Sequence, residues 1–478
     1  MKPVLLATDA LVFALIAAVI AAGFYVRRQE YLLASWRRVG ESRAGMAALT
    51  VLLAFLAIGL LDSLHYRPRL TGANGEPAGY ATEVRSVLDA LLMPLRNSTE
   101  KTYSAPLATY LYAKETVETA DGKQVRVFPR LRHGGAHLQD PQTQWAADVA
   151  WKAARGAALA AAAWTLLATL AVGLAARYWR VGWGVAWGRL WRGETRFAWN
   201  AVLGTTAVLL LLAGPTASLA LDYHVLGTDK VGQDVLYLAL KSIRTALVIG
   251  TITTLAMLPF AVILGIVAGY VGGRVDDAIQ YLYTTLNSIP AVLLIAAAVL
   301  MMQVVIDTHP EWFATAAERA DARLLALCLI LGVTSWTGLC RLLRAETLKL
   351  RELEYVQAAQ AFGVSGPRIM ARHILPNVMH IVLIALVMDF SGLVLAEAVL
   401  SYVGIGVDPT TISFGTMINT ARMELAREPI VWWSLAAAFV FMFVLVLAAN
   451  LFSDAVRDGF DPRTYLRPRR VRAKGVAA

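Results

Sequence analysis

The sequence predicts an all-α protein that crosses a lipid bilayer about nine times, and three observations carry that expectation. Hydrophobic residues fill 58% of the 478 positions and charged residues only 16%, against about 25% charged in a soluble domain. Apolar runs of the ~20 residues needed to cross the hydrocarbon core recur along the whole chain. Lys and Arg gather in alternate connectors between those runs. The formal charge of +10 is therefore read as the mark of a cytoplasmic membrane face, and nucleic acid is set aside as a partner. Cys328 and Cys340 share one apolar segment and do not form a disulfide framework or a metal site.

The predicted spans are 4–26, 45–64, 156–177, 201–221, 243–270, 279–306, 324–344, 378–400 and 432–452. An odd number puts the termini on opposite sides. Connectors 27–44, 178–200, 271–278, 345–377 and 453–478 carry the basic residues, so they are assigned to the cytoplasm, with the C-terminus, and the N-terminus to the outside. The first span has a single Lys2 before its apolar core and Arg27-Arg28 after it. That is the reverse of a cleaved signal peptide, and the span is expected to be retained.

The chain divides at its changes of composition. Residues 1–34 are an N-terminal span with its basic connector, and 35–64 a helix with a basic lead-in. Residues 65–155 form an external segment, and 156–222 a membrane hairpin with a Trp/Arg-rich turn. Residues 223–463 hold five spans, and 464–478 a basic tail. In the external segment "TGANGEPAGY" reads as turns and "ATEVRSVLDALLMPL" as a short amphipathic helix. "ETVETADG" and "KQVRVFPRLR" read as a strand pair turning at Asp121-Gly122. The segment is either a small subdomain or an irregular cap. "RYWRVGWGVAWGRLWRGETRFAW" alternates Trp with Arg, the pair expected at lipid headgroups, and reads as an interfacial helix.

The most patterned connector is "EYVQAAQAFGVSGPRIMARHILPN", Glu354–Asn377. As a helix it aligns Tyr355, Ala358, Ala359 and Phe362 at i, i+3, i+4 and i+7, one apolar stripe. Gly363 ends the helix, Gly366-Pro367 turns the chain, and Pro376 opens the next span. The pattern alone leaves two readings open: a ridge for a partner's groove, or a helix lying on the bilayer surface.

"QAAQAFGVSGPRIMARHILPN" resembles the signature loop of the permease subunits of ATP-binding-cassette importers. Gln357-Ala358-Ala359, Gly363 and Leu375-Pro376 keep that loop's spacing; Gln357 replaces its usual glutamate and His373 its usual isoleucine. The stretches "LGTDKVGQDVLYLAL" (226–240), "GYVGGRVDDAIQ" (269–280), "EAVLSYVGIGVDP" (397–409) and "DAVRDGFDPR" (454–463) are similar to the dipeptide/oligopeptide/nickel branch. "SWRRVGESRAGMAALTVLLAFLAIGL" (35–60) is similar to its first helix. The resemblance covers about 35–64 and 223–478. It implies a type I importer transmembrane fold in the bacterial inner membrane, with residues 354–364 as a coupling helix. Tyr355, Gln357, Ala358, Ala359, Phe362, Gly363 and Pro376 would form the ATPase-coupling site. It also implies four partners in kind: a second homologous permease subunit, two ATPase subunits holding ATP and Mg, a periplasmic solute-binding protein, and lipid. Gly227, Thr228, Asp229, Gly232 and Asp234 are candidates for binding-protein docking, although Asp229 and Asp234 also read as helix caps.

No phosphate-binding G-x-x-x-x-G-K-[ST] loop occurs, and no catalytic or metal-ligating cluster stands out. The expectation is a non-catalytic subunit with no cofactor of its own. Ionisable groups inside spans read as functional until shown otherwise, so Asp389 and Glu397 are candidates for the substrate path. The competing role is structural, above all for Glu397 near a helix end. Asn450 and Gln303 read as interhelical hydrogen-bonding groups. Peptides lead as the implied cargo, with nickel complexes or another small solute as alternatives. A secondary transporter, which would show internal repeats and broken helices, is the rival class. The hairpin in 156–222 is expected at the periphery, holding the external segment over the outer mouth or binding a partner.

Overall fold

A computed structural model describes residues 2–71, 77–118 and 124–460. The basic tail, the Asp121-Gly122 turn and residues 72–76 of the turn-rich stretch lie outside the described residues. Nine helices among those described are long and apolar enough to cross a membrane.

A short strand β1 (Lys2–Val4) leads into α1 (Ala7–Arg27), α2 (Glu30–Glu41) and α3 (Arg43–Ser63). α2 is amphipathic and lays Trp36 and Val39 on the last turns of the chain's final span, where Trp36 meets Phe460 edge-on at 5.5 Å. Ser42 ends α2 and caps α3 by accepting the Gly45 N–H at 3.1 Å. After α3 come β2 (His65–Arg67), β3 (Arg69–Thr71), β4 (Pro77–Tyr80) and β5 (Arg85–Ser86). β2 pairs antiparallel with β1, Lys2 opposite Arg67, so the N-terminal strand lies on the same side as the segment that follows α3.

The helix expected over "ATEVRSVLDALLMPL" is broken into β5 and two single-turn helices, α4 (Val87–Leu91) and α5 (Met93–Asn97). The reasons are local. Ser86 and Asp89 close a capping box that fixes a start at Val87, and Pro94 suits only a first turn. A hairpin of β6 (Glu115–Glu118) and β7 (Gln124–Val127) follows. The rest of the segment is largely irregular yet not a detached cap: Leu95 and Tyr103 are buried in the main core.

The added hairpin consists of α6 (Pro141–Trp179), α7 (Trp183–Arg192) and α8 (Trp199–Leu219). α6 has 39 residues, about 58 Å at 1.5 Å per residue, so it stands well clear of a ~30 Å hydrocarbon core. The sequence places its span only at 156–177. A Cβ on Gly156 would lie 2.5 Å from the Gly214 carbonyl oxygen, and one on Gly214 as close to the Gly156 oxygen. The two backbones therefore touch, the small-residue packing that membrane helices use. α8 also packs on α3, which joins the hairpin to the core.

The remaining helices are α9 (Val235–Val271), α10 (Gly273–Ser288), α11 (Ala291–Thr308), α12 (Ala316–Ser335), α13 (Thr337–Arg351), α14 (Glu354–Ala361), α15 (Gly366–Ile369), α16 (Leu375–Val403), α17 (Phe414–Arg422) and α18 (Trp433–Phe460). The predicted span 279–306 is broken: Pro290 holds Ile289 extended (φ −88°, ψ 130°), and the span is α11 alone. α10 is amphipathic, and its Asp276 receives both ends of the Arg344 guanidinium at 2.5 and 2.6 Å. α9 is the common partner of α3, α10, α12, α13, α16 and α18. Cys328 and Cys340 are both free and buried. Asn450 accepts the Ser391 hydroxyl at 2.7 Å and joins α18 to α16. The Gln303 side chain makes no hydrogen bond among the described residues.

Charges that the spans hide are paired near the N-terminal end of α9. Lys241 of α9 bridges Asp62 (2.5 Å) and Asp89 (3.0 Å). Arg244, one turn on, meets Asp9 at 2.6 Å, and Asp9 also takes His65 at 2.7 Å. The Thr8 N–H donates to Asp321 at 3.0 Å. Leaving one such charge unpaired away from water costs several kcal/mol, so these contacts fix α1 against β2, α9 and α12, and α3 against α9.

Candidate functional site

The segment that follows α13 is anchored from beneath and exposed above. Val356 is fully buried, in one cluster with Leu343, Ile369, Ile374 and Val378, and Ala359 leans inward beside it. Tyr355 and Phe362 point out, Phe362 86% exposed, and Ala358 and Gln357 are exposed between them. The four-residue apolar stripe is thus corrected to Tyr355, Ala358 and Phe362, because Val356 and Ala359 supply the inward face. The helix ends in a Schellman motif: the Gly363 N–H bonds to Gln360 O (2.9 Å) and the Val364 N–H to Ala359 O (3.1 Å). Gly363 has φ +76° with open space where a Cβ would stand, so the backbone angle alone calls for glycine.

Past α15 the chain makes one π-helical turn, Met370–Ile374, before α16. Pro376 has no N–H to give the preceding turn, and the Asn377 side-chain amide donates to His373 O at 2.6 Å. Asn377 also donates to the Tyr355 hydroxyl (3.1 Å), and Gln360 to the Tyr270 hydroxyl at the end of α9 (3.3 Å). The segment therefore touches α9, α13 and α16 together.

At the opposite end of α9, the loop Leu226–Asp234 is built inward. Thr228 is fully buried; its hydroxyl accepts the Ser104 N–H (2.6 Å) and donates to Thr102 O (2.9 Å), while its carbonyl accepts the Trp433 indole N–H (2.9 Å). Gly227 and Gly232 have φ of +73° and +78°, and a Cβ on either would strike the backbone of Ser104 or Glu100. Asp234 caps α9 through the N–H groups of Leu236 (2.9 Å) and Tyr237 (3.1 Å). Asp229 accepts from Val231 (2.9 Å) and Gln233 (2.8 Å). Gly227, Thr228, Gly232 and Asp234 are buried, so they shape the loop and do not offer a docking face. Its exposed tip is Lys230, Val231 and Gln233.

The loop's anchor is a buried charge triad. His224, 1% exposed, bonds through Nδ1 to Asp234 at 2.8 Å and faces Glu100 at 3.6 Å through Nε2. Glu100 accepts the backbone N–H groups of Arg132 (2.9 Å) and His133 (2.7 Å). Burial opposes the charge on His224, but Asp234 and Glu100 outweigh it and hold the imidazole up at about 9. Burial also opposes the Glu100 charge, and His224 with the backbone N–H groups of Arg132, His133 and Gly134 overcomes it, to about 2. No local motif announces this triad, because Glu100 lies far along the chain from the connector that holds His224 and Asp234.

The two acids of α16 part ways. Glu397 is buried and accepts the hydroxyls of Ser401 (2.7 Å) and Ser413 (2.9 Å), with Gly415 seated close against it. It ties α16 to the start of α17, which removes it from any path. Asp389 is half-buried and has no partner among the described residues. No group of three or more His, Cys, Asp or Glu among the described residues is placed to hold a metal ion.

Residues 261–465 match the family described as the binding-protein-dependent transport system inner membrane component. The oligopeptide transport system permease protein OppC of Mycobacterium tuberculosis is 31% identical over 249 residues, which cover 52% of this chain and 79% of that protein. The chain belongs to this family. Dipeptide transport system permease proteins DppC from Lactococcus lactis (30% over 242 residues; 51% of this chain and 64% of that protein) and Bacillus subtilis (28% over 240; 50% and 69%) are also similar. This family member is accordingly a transmembrane permease subunit, all-α and polytopic, of the inner membrane.

The triad gives the permease a defined pH response. His224 has its pKa raised from 6.5 to about 9, so its contribution is complete below about 6.5 and is lost as pH rises through about 9. A shift of this size corresponds to on the order of 3 kcal/mol. The thermal stability of the wild type should exceed that of His224→Gln most at pH 6, with the margin shrinking steadily by pH 9.5. Thermal unfolding followed by tryptophan fluorescence in detergent measures it, and a margin independent of pH would contradict the charged triad.

Proposed function

We propose that this permease is one half of a translocation path, completed by a second homologous permease subunit and driven by two ATP-binding subunits. ATP and Mg would reside on those partners. The observation that carries the reading is the segment Glu354–Ile374, anchored by Val356, Ile369 and Ile374 in a cluster shared by α9, α13 and α16, with Tyr355, Ala358 and Phe362 turned outward. A force applied to such a ridge is delivered to three membrane helices at once. Close packing in the cluster leaves little room for local yielding, so the helices take up the motion. Gln357 carries no charge, and its side chain bonds to Glu352 O at 3.3 Å, which fits a positional role.

An external solute-binding protein would deliver cargo on the opposite side, against the Lys230–Gln233 tip and the surface beside it. Peptides are the proposed cargo, supported by the names of the relatives. Asp389, half-buried with no protein partner, is the acid proposed to meet a peptide amine, because a carboxylate left unpaired at such a depth is costly unless a ligand or water reaches it. The N-terminus is proposed to lie outside with β2–β7, and Glu354–Ile374 in the cytoplasm. The basic connectors support that orientation, as does the pairing of β1 with β2.

Ala358→Glu places a charge in the middle of the exposed stripe without touching the buried side. Copurification of the ATP-binding subunits should fall by about tenfold or more, equivalent to ~1.4 kcal/mol or more, while the permease keeps its thermal stability and membrane insertion. Undiminished copurification would remove the coupling role from this face. For orientation, Ser365→Cys should react with an impermeant maleimide only from the cytoplasm and Asn97→Cys only from outside. Both positions are exposed, and the reverse pattern would invert the topology.

A further inference from the structure

Where the added hairpin meets the core, on the same side as Glu354–Ile374, lies a polar cavity of about 500 Å³ bordered by Glu41, Arg43, Gly193, Thr195, Arg196 and Asn200. Its floor is the junction itself: the Ala198 N–H donates to Gly40 O at 2.8 Å, and the Phe197 ring packs over Gly40. Gly193 closes α7 at φ +69°, and a Cβ there would lie 3.4 Å from an Arg43 guanidinium nitrogen and 3.2 Å from the Asn200 amide nitrogen. Among the described residues the Arg43 and Arg196 side chains have no ion pair or hydrogen bond. Glu41 has a partner of its own, and the cavity border carries two arginines against one carboxylate.

A second observation fixes the level of this cavity in the membrane. α7 buries Ala186 and Leu190 on α6 and turns Trp183, Trp187 and Trp191 outward, each between 41% and 54% exposed. Arg189 and Arg192 stand in its last turn. Tryptophan and arginine on one short amphipathic helix belong at the headgroup layer, and the cavity opens directly after that helix.

We propose that this cavity binds the phosphate group of an anionic phospholipid. The Arg43 and Arg196 guanidinium groups would hold the phosphate oxygens through charge-assisted hydrogen bonds, Asn200 and Thr195 would supply further polar contacts, and the acyl chains would run along the lipid-facing sides of α3 and α8. The lipid would bridge the core to the added hairpin. Basic pockets between membrane helices on the cytoplasmic face are suited to such headgroups.

The test uses the purified full chain in detergent, exchanged into equal amounts of phosphatidylglycerol and phosphatidylcholine, with retained lipid counted by native mass spectrometry. The wild type should prefer phosphatidylglycerol. At about fivefold per arginine near a charged headgroup, Arg196→Gln should lose part of that preference and the pair Arg43→Gln/Arg196→Gln roughly 25-fold, while Arg274→Gln, outside the cavity, keeps it. Arg196 lies in an exposed connector, so its single substitution keeps the test valid if the double variant does not fold. Equal preference in wild type and variants would overturn the proposal. Displacement of the lipid by inorganic phosphate would overturn the lipid as the source in favour of a free anion; retention in the presence of excess phosphate would support it.

Discussion

Asp234 does two things at the N-terminal end of α9: one carboxylate oxygen caps the helix, and the other holds the His224 imidazole, which is closed on its far side by Glu100. The helix so fixed is the element against which the other core helices pack. Two stretches far apart in sequence converge there, so the residues around 100–112 and the connector 222–234 that leads into α9 are held together. Removing any one charge would strand the others away from water, at a cost of several kcal/mol. The paired charges of Lys241 and Arg244 extend the same constraint about two and three turns down the helix and fasten α3 and α1 to it.

At its other end α9 meets the connector between α13 and α16. The Tyr270 hydroxyl takes Gln360, Arg351 donates to Tyr270 O at 3.3 Å, and Val356 is sunk beside Leu343 and Ile374. With 37 residues, α9 is about 55 Å long and links the two faces of the membrane. The proposed mechanism uses that length: docking at one face and delivery at the other act on opposite ends of one helix. The helix is packed along most of its course, and its ends are held by buried groups.

Much of this was legible beforehand. Long apolar runs need no partner to be recognised, because the bilayer demands helix wherever they occur. The segment at 354–363 could be read because its stripe and its closing glycine follow local rules. Local rules also misled. Pro290 divides the predicted span into an amphipathic first part and an apolar helix, and hydropathy is blind to a backbone angle. Ala359 and Val356 exchange prominence, because four residues at helical spacing do not say which side the core lies on. Charge pairing was not legible. Asp9 and Arg244 are 235 residues apart, and nothing near either one names its partner. The candidate docking residues Gly227, Thr228, Gly232 and Asp234 were noticed for good reason, yet their pattern encodes a buried loop and leaves the surface to Lys230, Val231 and Gln233.

The central claim is that the outward ridge of residues 354–362 meets an ATP-binding subunit. Phe362, 86% exposed, is the place to test it. A photo-reactive benzoylphenylalanine at position 362, irradiated in native membranes with the whole transporter expressed, should form a covalent adduct to an ATP-binding subunit that mass spectrometry identifies, and the same probe at exposed Val231 should not. Adducts from position 362 that contain only lipid, in membranes where the assembled transporter is present, would contradict the account.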